Sequence, residues 1–181
     1  MVGLLFYLVV ALPGYALDPA KNLDQFNCQT WTRRDRLPAG SVNAIAQTPD
    51  GYLWLGTEKG LVRFDGLEFN LIPPPDQPPF LSWDISSLAS SKAGGLWFGI
   101  NAGAPGYYDG RRFAPITNVG WLNQSSEVRS IREAGDGAVW VAGQTVAGGW
   151  VPGATNEMSF GGDFRGGISL GLGLQGRIWI G

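Results

Sequence analysis

The side chains able to do chemistry in this chain are few. It contains no histidine, which removes the side chain that ordinarily titrates near neutral pH, and with it imidazole metal ligands and Ser-His or Cys-His nucleophile pairs. The single cysteine, Cys28, supports neither an intramolecular disulfide nor a thiolate cluster, and reads as a small apolar side chain in a strand. Asp35, Asp84, Glu127 and Asp163 are acid–base candidates by type alone, since no paired-carboxylate motif, metal-ligand cluster or nucleophile elbow surrounds them. Asp50, Asp65, Asp109 and Asp136 stand in turn phrases, where a short carboxylate bonds local backbone. A different chemistry suits Trp83, Tyr107, Trp121, Asn123 and Gln124. Flat rings stack on a sugar ring and amides bond its hydroxyls. The residues therefore point to a ligand-binding surface, with no catalytic, metal or cofactor site; burial under a sheet edge is the competing reading for each aromatic.

Such a surface needs a scaffold, and the composition says which. In 181 residues there are 28 glycines and eight tryptophans, with only 15% charged residues. Glycine supplies the dihedrals of tight turns and aromatics suit pleated, buried surfaces, so the expected class is all-β. A formal charge of −2 and the lack of any long run of one sign provide no field for nucleic acid or anionic lipid. The opening MVGLLFYLVVALPGYA is an apolar run broken by Pro13 and Gly14, ending in small residues before Leu17 and Asp18. It predicts a secretory signal over residues 1–16, cut after Ala16, although no Lys or Arg precedes the run. The uninterrupted stretch from Val2 to Leu12 is well short of the ~20 residues that span a bilayer. A periplasmic or extracellular location follows.

The strongest signal is internal recurrence. Trp54, Trp97, Trp140 and Trp179 are spaced by 43, 43 and 39 residues in the phrases DGYLWLG, GGLWFG, DGAVWVAG and QGRIWIG. Three residues before each Trp is a glycine, Gly51, Gly94, Gly137 and Gly176; nine before is Ile45, Leu88, Ile131 or Leu170. Inside the first unit, VNAIAQ, YLWLGT, LVRF and LEFNLI are separated by TPDG, EKG and DG, the grammar of consecutive antiparallel strands. The glycine before each Trp strand is expected where a hairpin needs positive φ. Each Trp strand is apolar on both faces, so it is expected between neighbouring sheets, with the tryptophans as packing between them.

Four short strands in about 40 residues, repeated and covered on both faces, predict a β-propeller. The expected organisation is a signal over 1–16, a linker over 17–25 and a partial propeller over 26–181. The propeller divides into an outer closing strand and crossover (26–40), unit 1 (41–84), unit 2 (85–127), unit 3 (128–167) and the start of unit 4 (168–181). Closing seven such blades takes roughly 300 residues, and propellers use ~4–8. The reading is thus an incomplete propeller of about three four-stranded antiparallel blades plus the start of a fourth. The segments 73–84, 101–106, 117–127 and 143–149 share one end of the blades, and they carry most of the aromatic and amide candidates.

Residues 31–69, WTRRDRLPAGSVNAIAQTPDGYLWLGTEKGLVRFDGLEF, resemble the two-component regulator propeller repeat. The likeness rests on Val42, Ile45, Pro49, Asp50 and Gly51 at strand and turn. It continues through Leu53, Trp54, Leu55, Gly56 and Thr57, then Gly60, Leu61, Phe64 and Asp65. It weakens toward the C-terminus, with Ala93 at the turn Asp of unit 2 and Ala142 at the glycine after the Trp strand of unit 3. The resemblance implies an extracytoplasmic sensor of a bacterial signalling receptor, in some relatives for oligosaccharides. It further implies a β-sandwich, a transmembrane helix and a histidine kinase or diguanylate cyclase in the full-length receptor, with a homodimer as one assembly. A chain without histidine carries no phosphoacceptor histidine, so no enzymatic activity is expected of it. The alternatives are a secreted propeller enzyme of lyase or quinoprotein type and a periplasmic protein-interaction propeller.

Overall fold

A computed structural model describes residues 22, 29–32, 36–38, 40–74, 80, 82–117, 127–144, 146–153, 157–161, 169–173 and 177–181. The expected signal, the linker apart from Asn22 and residues 26–28 of the closing strand lie outside the described residues, as do Asp35 and Asp163. The chain divides into residues 1–31, where the described Gln29, Thr30 and Trp31 are irregular, and residues 32–181, which hold every described strand.

Fourteen strands occur among the described residues, and no helix. The first sheet contains β1 (Val42–Gln47), β2 (Leu53–Thr57), β3 (Gly60–Phe64) and β4 (Phe69–Leu71), antiparallel and in sequence order. The second repeats it with β5 (Ile85–Ser90), β6 (Leu96–Ile100), β7 (Gly106–Tyr108) and β8 (Phe113–Pro115). The third does so with β9 (Val128–Glu133), β10 (Val139–Gly143), β11 (Val146–Trp150) and β12 (Glu157–Gly161). A two-stranded sheet follows, β13 (Leu170–Leu172) with β14 (Ile178–Ile180). These are three propeller blades and part of a fourth, in an arc that the described sheets do not close. The inner strands β1, β5 and β9 lie side by side along the axis.

The hairpin after each inner strand has one geometry. Gly51, Gly94 and Gly137 donate their N–H to the carbonyls of Thr48, Ser91 and Ala134 at 2.9, 3.0 and 3.1 Å. Their φ values are 91°, 84° and 86°, the left-handed region that glycine enters without a Cβ penalty. The next hairpin trims the expected outer strand from 67–72 to Phe69–Leu71. The cause is Asp65, whose Oδ1 accepts the N–H groups of Leu67 and Glu68 at 2.8 Å each and holds them in a turn.

Opposed residues of an antiparallel ladder share a face. Ala46, Trp54, Arg63 and Asn70 therefore lie on one face of the first blade, with Ile45, Leu55, Val62 and Leu71 on the other. The Trp face of each blade packs on the opposite face of the next. Trp54 and Leu61 meet Ile85, Leu88, Phe98 and Tyr108, with the Trp54 and Tyr108 rings edge to face at 5.7 Å. Trp97 and Ala89 meet Val128, Ile131, Val141 and Trp150, with the two indoles at 6.0 Å and 88°. Trp140 and Ala142 meet Leu170 and Ile178 in a smaller cluster. The expectation of inter-blade packing thus describes Trp54 (6% exposed), Trp97 (8%) and the half-buried Trp140. Trp179 departs from it: at 67% exposure, its face has no further sheet over it among the described residues.

Candidate functional site

Chain order fixes which loops meet. In each of the three four-stranded sheets the inner strand starts, the second strand ends and the third begins at the same end, where residues 82–84 also lead into β5. That end holds two side-chain staples. In the first blade, Glu58 after β2 accepts the N–H groups of Gly40 and Ser41 at 2.9 and 2.8 Å, just ahead of β1. The Gly40 N–H above all holds this carboxyl below its ordinary pKa, against desolvation that raises it and with the Ser41 contacts and the Lys59 charge adding to the lowering. In the second blade, Asn101 after β6 donates its amide to Asp84 Oδ2 and its backbone N–H to the Asp84 carbonyl at 3.0 Å. Asp84 Oδ1 also accepts the Asn43 amide from the first blade at 3.0 Å. One carboxylate therefore ties two blades at the mouth of the axis.

A repeated irregularity puts further polar groups beside it. The register between inner and second strands slips once per blade: between Val42 and Ala44, between Ile85 and Ser87, and opposite the Ala142/Gly143 step, whose partners are Ser130 and Val128. Each slip leaves one extra residue on the inner strand, namely Asn43, Ser86 and Arg129. A β-bulge of this kind re-aims the side chain it carries. Asn43 donates to the Ile85 carbonyl at 2.9 Å, and Ser86 donates to the Val128 carbonyl, the equivalent atom one blade on. Arg129 instead pairs with Glu127 Oε2 at 3.2 Å, both about one-third exposed. All three bulge residues line an open axial cavity of about 450 Å³, whose wall also includes Gln47, Ser90, Arg132 and Glu133.

The aromatic candidates are placed differently from one another. Trp83 is half-buried in the crossover before Asp84, edge to face with Phe80 at 5.3 Å and Phe113 at 5.0 Å. Tyr107 lies in β7 against Trp97, ring centroids 4.4 Å apart, and its hydroxyl donates to the Gly94 carbonyl at the opposite, hairpin end. Trp121, Asn123 and Gln124 lie outside the described residues. Of the carboxylates, Asp84 and Glu127 stand at the axial mouth, each engaged by a neighbour. Sequence reasoning passed over Asn43, Ser86, Asn101 and Arg129. The one signal that could have exposed them is the repeat itself: Asn43, Ser86 and Arg129 follow each other at intervals of 43.

Against known proteins, residues 36–59 match the family described as two component regulator propeller. No curated protein matches the chain. Among solved structures, the extracellular domain assigned to the hybrid two component system BT3049 of B. thetaiotaomicron superposes with a TM-score of 0.66 at 22% identity, over 84% of this chain and 21% of that one. The corresponding domain of BT4673 from the same organism gives 0.64 at 20% identity, over 78% and 20%. The chain spans about a fifth of the length of these structures, and the likeness is one of fold.

Proposed function

We propose that this chain, which carries the two component regulator propeller repeat over residues 36–59, is part of the extracytoplasmic ligand-sensing propeller of a bacterial signal-transduction receptor. Its ligand class on this reading is the oligosaccharide. The chain is not itself an enzyme; a β-sandwich, a membrane span and a kinase or cyclase belong to the receptor polypeptide. The observation that carries the reading is the bulged register of all three inner strands, which aims Asn43, Ser86 and Arg129 at one axial cavity. Amide, hydroxyl, carboxylate and guanidinium groups there offer both donors and acceptors, as a sugar's hydroxyls require. On this reading Trp121, Asn123 and Gln124 of the segment 117–127, together with Trp83, supply rings on which a sugar can stack and amides that bond its hydroxyls. Tyr107 serves the seam between the second and third blades.

Calorimetry of the full chain against a panel of oligosaccharides tests this. Binding to at least one glycan, weakened about tenfold by Arg129→Ala, is the expected result. Absence of heat with every glycan removes the oligosaccharide class. A reading frame encoding a membrane span with a kinase or cyclase supports the receptor assignment, whereas a stop soon after ring closure favours a free binding protein.

A further inference from the structure

The outer flank between the first two blades holds a feature that the repeat does not require. Ile72 and Pro73, leaving the first blade, and Tyr108, Arg111, Arg112 and Phe113 of the second line an open groove of about 460 Å³. Arg111 and Arg112 sit on the β7–β8 hairpin, whose geometry copies that of the β3–β4 hairpin. Asp109 Oδ1 accepts the N–H groups of Arg111 and Arg112 at 2.7 Å each, as Asp65 Oδ1 accepts those of Leu67 and Glu68. The first blade builds the same turn with an aliphatic residue and a carboxylate, so the fold has no need of two guanidiniums at those positions.

The charges are also available. Both arginines are exposed, and neither is in an ion pair among the described residues. The neighbouring carboxylate, Asp109, is turned back on the hairpin's own backbone. A third guanidinium backs the seam: Arg63 is stacked over the Tyr52 ring at 4.7 Å, and its buried Nε has no hydrogen-bond partner. Its positive charge acts on the Tyr108 hydroxyl, whose pKa burial raises and Arg63 opposes. Two exposed cations beside an aromatic floor of Tyr108 and Phe113 outnumber the one neighbouring carboxylate, Asp109, and make a local positive field in a chain of net charge −2.

We infer that this groove is an anion subsite that takes the carboxylate or sulfate of an acidic sugar, with the two arginines as forked donors and the ring carbons against Tyr108 and Phe113. The inference deepens the oligosaccharide reading by naming an acidic class, but its site is separate from the axial mouth. The full chain, labelled with nitrogen-15, is titrated with a uronic acid trimer, the matching neutral hexose trimer, and sodium sulfate alone. Amide shifts at residues 110–113 are read against residues 66–69 of the sister hairpin. The uronic acid trimer and sulfate are expected to move residues 110–113 and leave 66–69 still, the neutral trimer binding there at least tenfold more weakly. Arg111→Gln with Arg112→Gln is expected to abolish the shifts while preserving the turn, which Asp109 holds through backbone alone. Equal shifts at both hairpins, equal affinity for the two trimers, or silence at residues 110–113 with both anions overturns the subsite. Shifts at 110–113 without any response at the axial mouth would instead count against the axial reading and leave the groove standing.

Discussion

The second seam and the outer face of β14 carry nearly the same phrase and reach opposite ends. In LWFG, Trp97 is 8% exposed, pressed between Tyr107 of its own blade and Trp150 of the next. In RIWIG, Trp179 is 67% exposed. Both lie within strands paired in antiparallel register with an inner strand. The phrase thus specifies a strand and the side on which the indole stands; burial is conferred by the apolar face of the following blade. The seams themselves also differ. Trp54 Nε1 donates within its own blade, to Thr48 Oγ1 at 2.9 Å, whereas Trp97 Nε1 crosses to Glu133 Oε2 at 2.7 Å. The N–H of Lys92 meets the same carboxylate at 3.1 Å, and its ammonium reaches the Ala134 and Gly135 carbonyls at 3.0 and 2.7 Å. The second seam is therefore clasped by polar groups at its hairpin end.

The largest test of this contrast is truncation of the indoles. Trp97→Ala should cost about 3–5 kcal/mol, the range for removing a buried aromatic, and Trp179→Ala less than about 0.5 kcal/mol, as for an exposed side chain. Denaturant unfolding of the two variants reads both. Equal losses would mean that the indole stabilises its own sheet and that the neighbouring blade contributes little.

A sharper probe is to add an atom. A Cβ on Gly56 would lie 2.6 Å from Ile85 Cγ2, and one on Gly99 would collide with Val128 Cγ1 and Ser87 Oγ. One on Gly181, at the matching place after β14, would meet nothing within 4 Å. Overpacking of this kind costs about 1–3 kcal/mol. Gly56→Ala and Gly99→Ala should each lower the midpoint of thermal unfolding by several degrees, while Gly181→Ala leaves it unchanged. If Gly56→Ala were neutral, the first seam would have slack that the packing of Leu61, Leu88 and Phe98 does not suggest.

The clasp gives a smaller effect. Glu133→Ala removes an acceptor from both the Trp97 indole and the Lys92 N–H, and should destabilise by about 1.5 kcal/mol, within the range for hydrogen bonds to a charged group. The replacement Thr48→Ala in the first seam removes the indole's neutral hydroxyl acceptor and that hydroxyl's own bond to Asp50 Oδ1, both within one blade, and should cost about 1 kcal/mol. A reversed order would place the stronger clasp in the first seam.

What the residues disclosed follows from which forces are local. Strand positions, the left-handed glycines and the side on which each tryptophan stands are written in a period of two and in turn chemistry, and β1 occupies the VNAIAQ run without adjustment. The bulges at Asn43, Ser86 and Arg129 were not legible, because a slipped register is set by how neighbouring strands twist and has no residue type of its own. Staples such as Asn43 to Asp84 depend on which atoms the next blade presents, a distance of 41 residues along the chain. Trp83 shows the reverse difficulty. An aromatic in a proline-rich crossover suggests a ring offered to a ligand, yet Phe80 and Phe113 pack against it in T-shaped contacts. The paired arginines were visible in YYDGRRF, and their distinctiveness emerged only once the two hairpins proved to share one geometry.

That shared geometry can be tested by protons. Asp65 is held below its ordinary pKa first by the Glu68 N–H and then by the Leu67 N–H; Asp109 is held below it first by the Arg112 N–H and then by the Arg111 N–H. A carboxyl whose pKa is lowered by folding contributes stability that is fully present above its unfolded value and lost as pH falls through the lowered folded value. Both hairpins should therefore keep their amide shifts at Leu67, Glu68, Arg111 and Arg112 from neutrality down into the usual carboxylate range. The shifts should then titrate with midpoints beneath the ordinary aspartate value. Asp109→Asn should erase the titration at Arg111 and Arg112 and leave that at Leu67 and Glu68 intact. Because Asp109 also feels the charges of Arg112 and Arg111, an anion seated in the groove should neutralise part of that field and raise its midpoint, while the Asp65 midpoint stays fixed. Parallel movement of both midpoints on adding sulfate would show a general ionic-strength effect and break the distinction between the two hairpins.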